Sequence, residues 1–209
     1  MARKPNGKAG ANAWQWSRTA QTRRALLEAA RAVFTEHGFA EASVADVVSR
    51  AGSSVGSLYH HFGGKSELFL ALWADHRNAH EEAAQTAVAV ARKNGESDPL
   101  ELFVAGARGY LDTSWQRRDL VRMLMDGDAP PGFELMRRTS DREWVRQNAV
   151  LLGASSAPAD RLVVSVLTSV MGSAAREVAT SGTKRDADEV IEAAVRLIRQ
   201  FGPVLGGEA

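Results

Sequence analysis

The chain has 209 residues, enough for one large domain or two small ones, and it has no cysteine, which excludes disulfides and thiolate metal sites. Its formal net charge of +1 hides an uneven distribution: residues 1–65 carry nine Lys or Arg against four Asp or Glu, and the remainder has an acidic excess. A basic front suits a polyanion; no run approaches the roughly 18 apolar residues of a membrane span, and the basic start MARKPNGKAGANAWQWSR lacks a signal peptide's apolar run, so a cytoplasmic protein without a membrane partner is expected.

Residues 1–21 read as a flexible basic tail, in which Trp14 and Trp16 have no evident role. From about Thr22 a helical period begins, with Leu26, Ala30, Val33 and Phe34 at i, i+4, i+7 and i+8, and Gly38 ends it. Ser43 caps a short helix whose Val44, Val47, Val48 and Ala51 share a face, Gly52 stops it, and Ser54 caps a third helix from about Val55 to His61. Three short helices with a glycine turn between the second and third have the length and punctuation of a helix-turn-helix. A long helix follows from about Lys65 to Lys93, its period carried by Phe69, Leu72, Trp73, His76, His80, Ala83 and Ala87. Further helices are expected at about 99–115, 118–126, 133–153, 159–181 and 186–204, separated by glycines and prolines. With no alternating strand, the chain reads as all-α: a DNA-binding-sized module over 22–66 and a larger helical module over 67–209.

The stretch SSVGSLYHHFGGKSEL, residues 53–68, concentrates the chemistry. Gly64-Lys65-Ser66 has the end of a phosphate loop, but the required glycine five residues before Gly64 is Tyr59, and no strand precedes it. His60 and His61 are adjacent and point apart on a helix, whereas His76 and His80 share a face; zinc needs further ligands, so neither a metal nor another cofactor is expected. No catalytic triad or carboxylate pair stands out, and no enzymatic activity is expected. A DNA-reading helix explains more. Small Ser53, Ser54, Gly56 and Ser57 permit close approach in a major groove about 12 Å wide. Tyr59 and His60 offer polar-tipped rings to phosphates or bases, while Leu58 and Phe62, four apart, anchor the helix on its neighbours.

The segment from Thr22, TRRALLEAARAVFTEHGFAEASVADVVSRAGSSVGSLYHHFGGKSEL, resembles the DNA-binding domain of TetR-family (tetracycline-repressor-like) transcription regulators. The matching features are the alanine-rich first helix ending in Phe34 and Gly38-Phe39, the Ala51-Gly52 turn, Gly56, Leu58-Tyr59, His61-Phe62 and Lys65. The resemblance implies that Ser54, Val55, Gly56 and Ser57 lie at the front of the recognition helix. It also implies that Tyr59, His60 and Lys65 touch phosphates, that Ser43 and Val44 lie near the DNA backbone, and that His61 is structural. Two positions depart from the family's habit: Ser53 replaces the usual apolar residue after Ala-Gly, and Val55 replaces a long polar one. Valine can make only apolar contacts, for instance to a thymine methyl.

The resemblance also implies that the later helices bind a small ligand and form a homodimer on a palindromic double-stranded operator. Two apolar faces suit a four-helix interface: Leu162, Val166, Val170, Met171 and Ala174 on one helix, with Ile191, Ala194, Leu197, Ile198 and Phe201 on the last. Trp73, His76, Phe103, Tyr110, Trp115, Met123, Phe133, Met136 and Trp144 are the expected lining of a largely apolar ligand pocket. The expected function is therefore a ligand-released transcriptional repressor. The alternative is a helical small-molecule-binding protein or enzyme with an incidental basic front.

Overall fold

A computed structural model of the chain describes residues 7–125 and 127–201, with side chains from residue 18 onward, so Trp14 and Trp16 lie outside the described side chains. Among the described residues all regular structure is helical: α1 (Gly7–Glu41), α2 (Val44–Arg50), α3 (Val55–Phe62), α4 (Lys65–Lys93), α5 (Pro99–Gln116), α6 (Arg118–Met125), α7 (Phe133–Leu151), α8 (Pro158–Thr180) and α9 (Lys184–Phe201). Helix α1 starts well ahead of Thr22, because residues 7–21 contain no proline and several good helix formers. At Gly38 the backbone leaves helical geometry, with φ of 75°, a value that favours glycine.

The helices form two compact units. The first takes the chain up to Trp73 together with Asp128–Pro130; the second takes Ala74–Gly127 and everything from Pro131. The boundary between them falls within α4.

In the first unit, Leu26, Ala30, Val33 and Phe34 of α1, Val47 and Val48 of α2, Leu58 of α3, and Leu68, Phe69 and Leu72 of α4 are buried. The rings of Phe34, Phe39 and Phe69 form a triangle with centroids 5.3–6.0 Å apart, in tilted or edge-on arrangements that aromatic quadrupoles favour. Removing one such buried ring costs about 3–5 kcal/mol.

In the second unit, α5 packs against both α8 and α9, which also pack on each other. Phe103, Val104 and Ala107 of α5 meet Val164 and Leu167 of α8 and Val195 and Ile198 of α9; a neighbouring cluster joins Leu111, Ala174, Val178, Ile191 and Ala194. A Cβ on Gly109 would stand 2.7 Å from the Ala83 carbonyl oxygen, so the missing side chain is what lets α5 run against α4. Helix α8 corrects one expectation from the sequence. Its 23 residues contain a window of mean hydropathy 1.4, long and apolar enough to cross a membrane. Here Val163, Val164, Leu167, Met171, Ala175 and Val178 of that helix are buried among other helices of the unit, as in a core helix.

Candidate functional site

The region from α2 to α3 is assembled by local hydrogen bonds. The Ser43 hydroxyl accepts from the Asp46 amide at 3.1 Å and donates to the Asp46 carboxylate, fixing the start of α2. Gly52 adopts a φ of 58° in the turn, and the Ser54 hydroxyl then accepts from the Ser57 amide at 3.2 Å to open α3. Gly63, with φ of 95°, closes it. Leu58 is fully buried and fastens α3 to the rest of the unit.

The opposite face is bare. Val55 is 48 % and Tyr59 54 % exposed; Ser54, Gly56 and His60 are also exposed, and Val44 and Ser57 are half-buried. Nothing lies within 4 Å of where a Gly56 Cβ would be, and this glycine has no positive φ. Among the described residues, its lack of a side chain therefore serves no internal packing and leaves open space on that face. His60 and His61 pack ring against ring at 5.3 Å, with His61 turned partly inward. The Arg23 guanidinium sits over the Phe62 ring at 5.1 Å.

Lys65 is not placed as a phosphate grip. Its ammonium donates to the carbonyls of Phe39, Ala40 and Ala42 at 2.8, 3.0 and 2.9 Å and lies 4.6 Å from the centre of the Phe39 ring. An ammonium has three N–H donors, and all three are occupied. The end of α1 beyond its kink at Gly38, with Ala42 after it, captures this charge, so Lys65 leaves the set of DNA contacts.

The residues expected to line a ligand pocket are divided. In the second unit the rings of His76, His80, Tyr110 and Trp144 form a row with successive centroids 4.3, 4.7 and 5.5 Å apart. His80 is buried, with Nδ1 at 2.9 Å from the His76 carbonyl and Nε2 at 3.1 Å from the Ser114 hydroxyl. A carbonyl only accepts, so Nδ1 carries the hydrogen in the neutral ring, and the Ser114 hydroxyl lies between Nε2 at 3.1 Å and the Tyr110 carbonyl, to which it donates at 3.0 Å. Burial pushes the His80 pKa down to about 4; the His76 carbonyl opposes this and the Arg117 charge adds to it. Burial likewise pushes Tyr110 up to about 12. Both nitrogens of His80 are thus engaged within the chain.

Phe103, Met123 and Phe133 are buried, Phe103 within the core cluster of α5, α8 and α9. Trp115 is half-buried beneath the Arg118 guanidinium at 4.3 Å, and Trp73, the last residue of the first unit, is also half-buried. Met136 is 42 % exposed and leaves the pocket set, because its position on α7 faces solvent.

The expected dimer faces are also divided. Met171, Ala174, Ile191, Ala194 and Ile198 are buried within a single chain, because α8, α9 and α5 pack on one another through these residues. They are core, not available interface. Leu162, at 65 % exposure, Leu197, at 47 %, and Phe201 remain outside, and Val166 and Val170 are half-buried.

Residues 26–72 match the family model for bacterial regulatory proteins of the tetR family. The chain is similar to the HTH-type transcriptional repressor AcnR of Corynebacterium diphtheriae, 34 % identical over 129 residues, which is 62 % of this chain and 61 % of that repressor's own length. Its fold is similar to that of a TetR-like transcriptional regulator from Rhodococcus sp. RHA1, with a TM-score of 0.66 and 23 % identity over 90 % of this chain and 97 % of that one. It is also similar to that of SmeT in a complex with triclosan, with a TM-score of 0.62 and 21 % identity over 84 % and 90 % of the two chains. The family match falls on the residues that build α3 and its support, and over residues 26–72 the chain is a member of the tetR family of bacterial regulatory proteins.

Proposed function

We propose that the protein is a sequence-specific DNA-binding transcriptional repressor that acts as a homodimer in the cytoplasm and is released by a small ligand. The observation that carries this reading is the bare face of α3, where Val55, Gly56 and Tyr59 stand out on a helix anchored by Leu58 and Gly56 has no internal role. Val55 and Ser57 read base edges; Ser43, Val44, Ser54, Tyr59 and His60 grip the backbone; and the helix N-terminus adds its partial positive charge. The exposed halves of α8 and α9, through Leu162, Val166, Val170, Leu197 and Phe201, form the two-fold interface. Two copies of α3 then require a near-palindromic operator with half-sites about 34–36 Å apart, or a multiple of that.

The row of rings from His76 to Trp144, with His80 buried and the other three half-buried, supports a largely apolar ligand in the second unit. Such a ligand lowers DNA affinity by binding the conformer that does not fit the operator. The triclosan held by SmeT, a protein of similar fold, supports the same reading.

Selection of bound duplexes from a random library tests the proposal. A palindromic sequence should be enriched, and Leu162→Arg together with Leu197→Arg should abolish both the enrichment and the dimer seen by sedimentation. Enrichment of nothing would return the chain to the reading of a helical small-molecule-binding protein.

A further inference from the structure

Lys65 accounts for only one side of the segment that follows the Gly38 kink of α1. On the other side lies Asp128, 88 residues further along the chain, with both carboxylate oxygens accepting from the Ala40 amide, at 3.1 and 3.0 Å. The peptide groups of Ala40 are therefore held by charges of both signs, the N–H by the Asp128 anion and the C=O by the Lys65 cation. A Cβ on Gly38 would collide with the Asp128 carboxylate, so Gly38 serves the fold twice, by its positive φ and by making room for the acid.

Asp128 does not come from the helices it fastens. It lies on the connection between α6 and α7, where Asp128–Pro130 belong to the first unit while Gly127 before and Pro131 after belong to the second. Pro130 is buried there.

We propose that Asp128 is a positioning residue for DNA binding. Its carboxylate fixes the turn over residues 39–42, and that turn sets where Ser43 begins α2. Helix α2 packs on α3, through a unit core that includes Val47, Val48 and Leu58, so the turn governs the placement of the reading helix. An unfastened turn must be ordered at the moment of binding, and that entropy is subtracted from affinity. The inference rests on the DNA-binding reading given above.

Charge and positioning predict opposite signs. Removing an anion from a DNA-binding unit tightens binding if the charge acts only by repelling phosphates. Removing a fastener weakens binding. The experiment uses the full chain and two probes: the duplex that the wild-type protein enriches from a random library, and an unrelated duplex of equal length. Asp128→Ala should weaken binding to the enriched duplex roughly tenfold, a figure of about 1.4 kcal/mol, and leave the preferred sequence and the unrelated duplex unaffected. Asp128→Asn, whose side-chain oxygen still accepts from the Ala40 amide, should recover most of that loss. Hydrogen exchange of a peptide spanning residues 36–44 should quicken in Asp128→Ala. Should Asp128→Ala fail to fold, Asp128→Asn carries the test, with an expected loss of roughly two- to threefold and a wild-type melting temperature. Wild-type affinity in the variant that folds, or tighter binding by both variants, overturns the inference while leaving the DNA-binding reading intact. A wild-type protein that enriches no duplex removes that reading and this inference with it.

Discussion

The two units treat polarity in opposite ways. Among the described residues, the buried polar side chains are His80, Thr113, Ser114, Ser140 and Asn148, and all of them lie in the second unit. They are satisfied internally: His80 by His76 and Ser114, Thr113 by the Gly109 carbonyl, Ser140 by Arg77, and Asn148 by Thr168. The first unit has a core of aliphatic and phenylalanine side chains and turns its serines, Tyr59 and His60 toward the surface of α2 and α3. On the proposed function, a unit that reads DNA carries its chemistry outside, on a helix made rigid by an apolar interior. A unit that encloses a small ligand keeps polar groups within, and a network of such groups is costly to leave half-made. On that reading the two units differ in where recognition happens, and the contrast can be broken at either end.

The largest expected effect is acid sensitivity of the second unit. Below about pH 6.5 the unfolded chain protonates His80, while the folded chain refuses the proton until about pH 4. Stability from this group is therefore full above pH 6.5 and falls as acid is added through that window, by about 3 kcal/mol in all. Urea titrations at pH 7 and pH 4.5 should show the loss, and His80→Gln should flatten it. An unflattened profile would mean that other groups govern acid unfolding.

A smaller effect is expected in the first unit. Lys65→Ala strips a cation from the carbonyls of Phe39, Ala40 and Ala42 and should destabilise the fold by about 2 kcal/mol. Operator affinity should fall with it, yet the slope of log affinity against log salt should stay as in the wild type, because no phosphate contact is lost. A slope shallower by about 0.9 for each Lys65 removed would restore it to the DNA contacts.

The smallest effect has two signs. Gly56→Ala places a methyl where the chain has nothing within 4 Å. It should stabilise the folded protein by about 0.5–1 kcal/mol through helix propensity and weaken operator binding by crowding the groove. Calorimetry and DNA titration on the same sample check both. Unchanged DNA affinity would remove Gly56 from the interface.

Much of this was legible because it is local. The caps Ser43 and Ser54 and the glycine turn at Gly52 are read from neighbours a few residues away, and α4 has the bounds its periodicity predicts. Partners distant in sequence were not legible. Periodicity marks Met171 and Ile198 as apolar but cannot say whether the covering surface is the same chain or another copy, and here it is the same chain. Nothing near Lys65 announces that three carbonyls converge on it, and Asp128 reads as one acid in a glycine- and proline-rich connection. Helix α1 begins at Gly7, ahead of the apolar period that starts near Thr22, because residues 7–21 carry helix formers but no apolar stripe to mark them.

The interleaving of the two units bears on how such a protein can be recombined. The stretch through Trp73 contains all of α1 to α3 and the first turns of α4, and a genetic crossover placed after it would transplant those helices whole. The graft would nonetheless arrive without Asp128–Pro130, which are encoded more than fifty codons downstream. A working chimera must find an equivalent acid in its new connection, or accept a looser turn at Ala40. On the proposed role of Asp128, exchange of the first unit between chains succeeds only where the α6–α7 connections agree.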